Sequence, residues 1–256
     1  MNSAQKKVLI ILSDAASFKL RKPDGNTVDE STGFFLSELA RPLVALIDAG
    51  YAVTFASPEG RQPSIDPLSQ STAMAFLGAW WIKRREEAVI KQMELESNLL
   101  APRPFASIQN EELRTFSGVF IPGGHAPLTD LGNNDELGRI LTYFHSHAKP
   151  TGALHPLLRI PLLRSNFLGD HAASLCHGPY AFLSTKPFAY KGYKLISWSD
   201  TEESLVETLK GGEIEKVQSS LSNAGAEMID SVGAKTGSLS VDREVVTGAS
   251  RTAFRT

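Results

Sequence analysis

The sequence predicts one α/β domain with a mostly parallel central sheet and helices on both faces, and three observations carry that prediction. Strand-like and helix-like segments alternate along the chain, as in a parallel sheet whose strands are joined by helices. At 256 residues the chain fits a single large domain, 1–256, with a substantial core. Its composition, 42% apolar and 21% charged, is that of an ordinary globular protein.

Residues 7–12 form the opening strand, because Val8-Leu9-Ile10-Ile11-Leu12 is a continuous apolar run that Ser13-Asp14 ends. Lys6-Lys7 ahead of it looks like the start of a signal peptide, but five apolar residues are too few for a signal or a membrane span. Residues 13–31 are polar and contain Pro23-Asp24-Gly25-Asn26, which predicts a long loop. Apolar spacing at Phe35, Leu39, Leu43, Leu46 and Ile47 predicts a helix over 33–49 that stops at Gly50, with a bend or restart at Pro42. Residues 51–56 are the second strand, followed by the turn Ser57-Pro58-Glu59-Gly60 and a Pro- and Ser-rich loop over 61–71.

Residues 72–98 read as one or two charged amphipathic helices. In Lys83-Arg84-Arg85-Glu86-Glu87 the acids offset the bases, so a covering helix with a solvated face is expected rather than a basic docking patch. Residues 117–121 form a buried strand that runs into Pro122-Gly123-Gly124-His125. A helix follows over 134–147, then a strand over 173–176 and a helix from Pro179. The last third holds helices near 201–209 and 213–224 and terminal strands around 238–247. His145 and His147 stand two apart on different helix faces, which favours C-terminal capping over a metal pair.

A formal net charge of −2 supplies no general attraction to nucleic acid or to an anionic membrane. One cysteine and six histidines leave no CxxC or Cys/His cluster, so no metal site is expected. No cofactor is expected either. A lone cysteine forms no internal disulfide, which suits a reducing compartment such as the cytoplasm.

Three local patterns carry chemistry. The predicted strand ends at Cys176 and continues Cys176-His177-Gly178-Pro179, and small residues at Ser174 and Gly178 relieve a sharp turn that pushes the middle side chain outward. A helix starting there would favour thiolate over thiol. Pro122-Gly123-Gly124-His125 follows another buried strand, and its glycines let backbone N–H groups approach an oxyanion or substrate. Both sites would converge at the carboxyl ends of parallel strands. Glu38 lies among apolar residues of the first helix, where a desolvated carboxyl could share a proton with a thiol.

These pieces, in this order, resemble the ThiJ/PfpI family of the class I glutamine-amidotransferase-like superfamily, and most closely its heat-shock chaperone-type, glutathione-independent glyoxalases. The similarity rests on Thr32-Gly33 through Glu38 and Pro42, Ala56-Ser57-Pro58-Glu59-Gly60, Ile65-Asp66-Pro67-Leu68-Ser69, Pro122-Gly123-Gly124-His125, Asp130-Leu131, Cys176-His177-Gly178-Pro179 and Gly192-Tyr193-Lys194. The resemblance implies a flavodoxin-like sandwich and conversion of methylglyoxal to lactate without glutathione or metal. It implies that Cys176 forms a hemithioacetal, that Glu38 moves protons, and that His177 assists. Gly123, Gly124 and His125 would bind the oxyanion or substrate, with the Gly124 and His177 N–H groups as donors. An acid among Asp200, Glu202 and Glu203 would support His177, with Glu203 the favourite. The implied partner is a small reactive carbonyl, with no nucleic acid or membrane, and a homodimer is the assembly to look for. The implied location is the cytoplasm, with the nucleus also open.

The chain departs from the family pattern in three places. Ala126 replaces a usual glycine. Gly248-Ala249-Ser250-Arg251 replaces a usual Asn-Pro pair, and a usual terminal helix is missing, so a sheet face is expected to be exposed or covered by a partner. An insertion at about 152–172 separates Lys149-Pro150-Thr151 from Ala173, and reads as a surface excursion or an aberrant splice product rather than a lid. The competing functions are a stress chaperone or redox sensor that oxidises Cys176, a cysteine peptidase or amidase, and a chain inactivated by the insertion.

Overall fold

The computed structural model describes residues 6–70, 80–152, 172–229 and 239–248. In chain order its strands are β1 (Lys7–Ile11), β2 (Ser17–Arg21), β3 (Thr27–Ser31), β4 (Ala52–Ser57), β5 (Arg103–Pro104), β6 (Phe116–Phe120), β7 (Thr151–Gly152), β8 (Ala172–Leu175), β9 (Lys194–Leu195), β10 (Glu227–Met228), β11 (Leu239–Asp242) and β12 (Val245–Gly248). The central sheet runs β11-β12-β7-β6-β1-β4-β5, with β8 paired to β7. The pairs β12/β7, β7/β6, β6/β1, β1/β4 and β4/β5 are parallel, whereas β11/β12 and β7/β8 are antiparallel.

β1 shows why the sheet is central. Val8 to Ile11 are all buried, as a strand covered on both faces requires. Its side chains alternate between two cores. Val8, Ile10 and Leu12 pack with Leu39, Leu43 and Leu46 of the helix Leu36–Asp48 and with Val89, Ile90 and Met93 of the helix Trp80–Glu96. Leu9 and Ile11 face Leu137, Ile140 and Phe144 of the helix Asp135–Ser146 and Leu221 of the helix Val217–Ala224. The result is the flavodoxin-like sandwich expected from the sequence. The helix Leu36–Asp48 runs through Pro42. The helix Trp80–Glu96 is the expected cover, tied to its neighbour by the 2.6 Å Arg41–Glu86 ion pair.

Two expectations need correction, the loop over 13–31 and the capping role of His145. Residues 13–31 are not a loop: β2 and β3 form an antiparallel hairpin from Ser17↔Ser31 to Arg21↔Thr27. Polar composition hides a period of two, with Phe18 and Leu20 buried and Lys19 and Arg21 exposed. The helix expected after Cys176 is a seven-residue 3-10 helix, Gly178–Ser184. Pro179 lacks an N–H at its start, and the Ser184 and Thr185 hydroxyls fold back onto the Ala181 and Phe182 carbonyls at its end. His147 does bond the Tyr143 carbonyl at the helix end, but His145 turns instead to Glu244, at 2.8 Å.

The strand leading to Cys176 is split in two. Thr151 pairs in parallel with Val119 and Val245, and Gly152 with Val246. Gly152 also pairs, antiparallel, with Ala173. β7 and β8 thus lie side by side, and β8 brings the chain to Cys176, whose N–H donates to Gly248 O at 2.9 Å. Most of the insertion, 153–171, lies outside the described residues, as do 249–256. No helix among the described residues is long and apolar enough to cross a membrane.

Candidate active site

Cys176 has φ +55°, the left-handed region in which a side chain is strained. Two bonds hold it there: its N–H to Gly248 O and its C=O from Trp198 N–H, both 2.9 Å. Cys176 is 7% exposed, and its Sγ lies 3.1 Å from His177 Nδ1.

His177 Nε2 lies 2.6 Å from Glu203 Oε2. The three candidate acids divide their work through local capping. Ser199 and Glu202 form a capping box at the start of the helix Asp200–Lys210, and Asp200 bonds Ser219 on the neighbouring helix. Glu203 remains to point inward, where it is 1% exposed. Burial pushes its pKa up, but hydrogen bonds from His125 and His177, and the charge those rings can carry, prevail and lower it from 4.5 to about 2. It stays a carboxylate at neutral pH.

Glu38, also 1% exposed, accepts the Gly123 N–H at Oε2, 3.1 Å. Close glycine packing sets this contact. Phe35 N–H donates to Gly123 O at 3.1 Å. Gly124 has φ +104°, and a Cβ there would fall 2.2 Å from Gly33 O. Cys176 shares a core with Phe34, Leu36 and Leu39, the residues around Glu38. The turn after β6, the first helix and the cysteine elbow therefore meet in one place. Because Glu38 takes the Gly123 N–H, Gly124 is the glycine of the pair whose N–H makes no hydrogen bond among the described residues.

His125 reaches past the turn to Glu203, its Nε2 at 3.2 Å from Oε1. Glu203 thus accepts one imidazole on each oxygen. Phe18 from the hairpin stacks on His125, centroids 4.9 Å apart, and the His125 ring lies 4.2 Å from that of His177. Trp198 stacks on the other neighbour, His177, at 5.7 Å. Sequence reasoning missed Phe18 and Trp198. The alternation of β2 was a signal for Phe18; Trp198 left none. Beside the turn, Asp130 accepts from Ser13 Oγ at 2.6 Å and from Asp14 N–H at 2.8 Å, and burial raises its pKa from 3.8 to about 6.

The profile of a family described as ThiJ/PfpI family-like matches residues 30–205, a span that contains Glu38, the Gly123-Gly124 turn, Cys176, His177 and Glu203. The protein/nucleic acid deglycase HchA of Staphylococcus aureus (strain bovine RF122 / ET3-1) is 26% identical over 179 residues, 67% of this chain and 50% of that protein. The chain therefore spans about half the length of the curated relatives it matches. Among solved structures, glyoxalase III from Candida albicans superposes with a TM-score of 0.67 at 20% identity, over 97% of this chain and 92% of that one. The Rapid Encystment Protein 24 KDa of Francisella tularensis gives 0.65 at 17% identity, over 98% and 96%. These two likenesses are of fold.

Proposed function

This chain belongs to the ThiJ/PfpI-like family, and on that premise we propose that it is a glutathione-independent glyoxalase-type lyase that converts methylglyoxal to lactate in the cytoplasm. The observation that carries the reading is Cys176 Sγ at 3.1 Å from His177 Nδ1, backed by Glu203, in a site that also holds the buried carboxyl Glu38. A hydrolase needs the first three groups. Moving hydrogen between the two carbons of an α-oxoaldehyde needs the fourth.

The Cys176 thiolate attacks the aldehyde carbon, and the carbonyl electron pair moves to oxygen, which takes a proton from His177. The Gly124 N–H stabilises that oxygen as charge builds on it. Glu38 removes hydrogen from the same carbon to give an enediol, and returns a proton to the second carbon, which leaves a lactoyl thioester. Water, deprotonated by His177, cleaves the thioester and restores the thiol. Methylglyoxal and water become lactate, with no net oxidation.

The name of the S. aureus relatives favours a second reading of the same site, in which the carbonyl carbon reaches Cys176 as an adduct on protein or nucleic acid. Glutathione-free incubation with methylglyoxal, and in parallel with a purified methylglyoxal–guanosine adduct, separates the two. Lactate from free methylglyoxal in wild type, none from Cys176→Ala and a strongly reduced rate from Glu38→Gln support the lyase. Lactate from the adduct alone supports the deglycase, and none from either sinks both.

A further inference from the structure

We propose that the indole N–H of Trp198 is a substrate contact: it donates to the second oxygen of an α-oxoaldehyde held on Cys176, and so sets a preference for dicarbonyls over simple aldehydes. The proposal rests on the function proposed above and adds one group to its site.

Trp198 lies between β9 and the helix Asp200–Lys210, and the cysteine elbow holds both its backbone and its ring. The backbone N–H donates to Cys176 O at 2.9 Å. The ring stacks on His177, with centroids 5.7 Å and planes 29° apart. It also packs against the core that Cys176 shares with Phe34, Leu36 and Leu39, the residues around Glu38. Trp198 is thus set beside the nucleophile, its base and the apolar wall that carries the second carboxyl. Its Nε1 is shut off from solvent, with no hydrogen-bond partner among the described residues. A buried N–H left unpaired is costly and uncommon in a native protein. An indole N–H donates and never accepts, so the partner it suits is an acceptor. A small dicarbonyl bound to Cys176 brings two oxygens to this place.

The reaction decides which oxygen takes it. The first, on the carbon that Cys176 attacks, has His177 and the Gly124 N–H. When the C–H bond of that carbon breaks, the proton goes to Glu38 and the electron pair forms a carbon–carbon double bond. The π pair of the second carbonyl moves onto the second oxygen, which becomes an enediolate oxygen. A fixed donor aimed where charge develops lowers the barrier of such a step. Glu38 then returns the proton to the second carbon, which binds it with the double-bond pair. The hydroxyl on the first carbon gives its proton to the second oxygen and becomes the thioester carbonyl. Trp198 keeps its own proton throughout. A site that donates to a substrate oxygen also discriminates strongly against an analogue that lacks it.

The test compares wild type with Trp198→Phe, which keeps an aromatic ring on His177 and deletes the donor. On methylglyoxal, kcat should fall about 10²–10³-fold, as on loss of one oxyanion donor, with a much smaller change in KM. Iodoacetamide labelling of the free protein should stay within about twofold of wild type, because the thiol itself is untouched. Protection of Cys176 from iodoacetamide should weaken about three- to tenfold for methylglyoxal, as for one neutral hydrogen bond, and hold for propanal, which has no second oxygen. A kcat within about threefold of wild type would overturn the proposal. So would equal weakening for the two aldehydes, or slower labelling of the free protein, which would make Trp198 a prop for His177. If Trp198→Phe folds poorly, 3-benzothienylalanine in place of Trp198 keeps the bicyclic shape without the N–H and should give the same results. If wild type makes no lactate, the function proposed above fails, and the protection by methylglyoxal and propanal decides whether Trp198 reads the second oxygen.

Discussion

Cys176 and its partners act through charge as much as through position. Glu203 is a buried carboxylate with an imidazole on each oxygen, so Glu203→Gln keeps the shape and removes the charge that supports a protonated His177. A fall in kcat/KM of about 10²–10⁴ is expected, measured on methylglyoxal. Glu38→Gln should lower turnover comparably but leave iodoacetamide labelling of Cys176 near the wild-type rate, since in the proposed mechanism Glu38 handles the carbon-bound hydrogen and not the thiol. The two perturbed carboxyls also set opposite pH dependences. Glu203 lies near 2 against an ordinary 4.5, so its contribution to stability is complete above about pH 4.5 and lost as pH falls through 4.5 toward 2. Asp130 is raised from 3.8 to about 6, so its contribution is complete below pH 3.8 and lost as pH rises through 6. Asp130→Asn should therefore gain on wild type between pH 4 and pH 8, read as urea midpoints at both values. An equal offset at the two pH values would refute the assignment.

At the scale of elements, the site depends on how short segments end. The Ser199–Glu202 box starts the helix Asp200–Lys210 and leaves Glu203 free to face inward. That pattern, Ser-x-x-Glu, is visible in the sequence and assigns Glu202 to capping, which leaves Asp200 and Glu203 as the acids able to face inward. Ser199→Ala should cost about 1 kcal/mol in a denaturation series. Gly124 could not be judged from sequence alone, because its need for glycine arises from Gly33 O in another segment. Gly124→Ala combines that clash with a left-handed φ and should destabilise by about 1–3 kcal/mol or more. The split strand gives a further test. Gly152 and Ala173 are paired neighbours, so deleting 152–172 joins two points of the chain that the sheet already holds close together. Stability and turnover at or above those of the full chain are expected; lower activity on deletion would show that the segment is needed.

The whole molecule holds the site between two cores and closes it with pieces from distant parts of the chain. The β2–β3 hairpin lays Phe18 over His125, while Leu20 packs with Ile214 and Val206 at the far end of the Glu203 helix. At the opposite end of the sheet Tyr193 Oη lies 2.9 and 3.2 Å from the two oxygens of Glu244, and His145 bonds the same carboxylate. This cluster ties the β11–β12 hairpin to the helix Asp135–Ser146. Tyr193→Phe removes a donor from a buried carboxylate and should lower global stability by about 1–3 kcal/mol, with turnover little changed.

The sequence by itself determined the parallel sheet, most of its helices and the nucleophile turn, since continuous apolar runs, helical spacing and glycine punctuation are local signals. It named Cys176, His177, Glu38, Gly123, Gly124 and His125 one at a time, and narrowed the acid to three neighbours. Only the tertiary structure decided that Glu203 takes both imidazoles, that Gly123 gives its N–H to Glu38, and that a hairpin aromatic covers His125. Residues 125, 177 and 203 lie too far apart in the chain for any spacing rule. Their meeting is set by which strand ends the sheet brings together, and that is a property of packing.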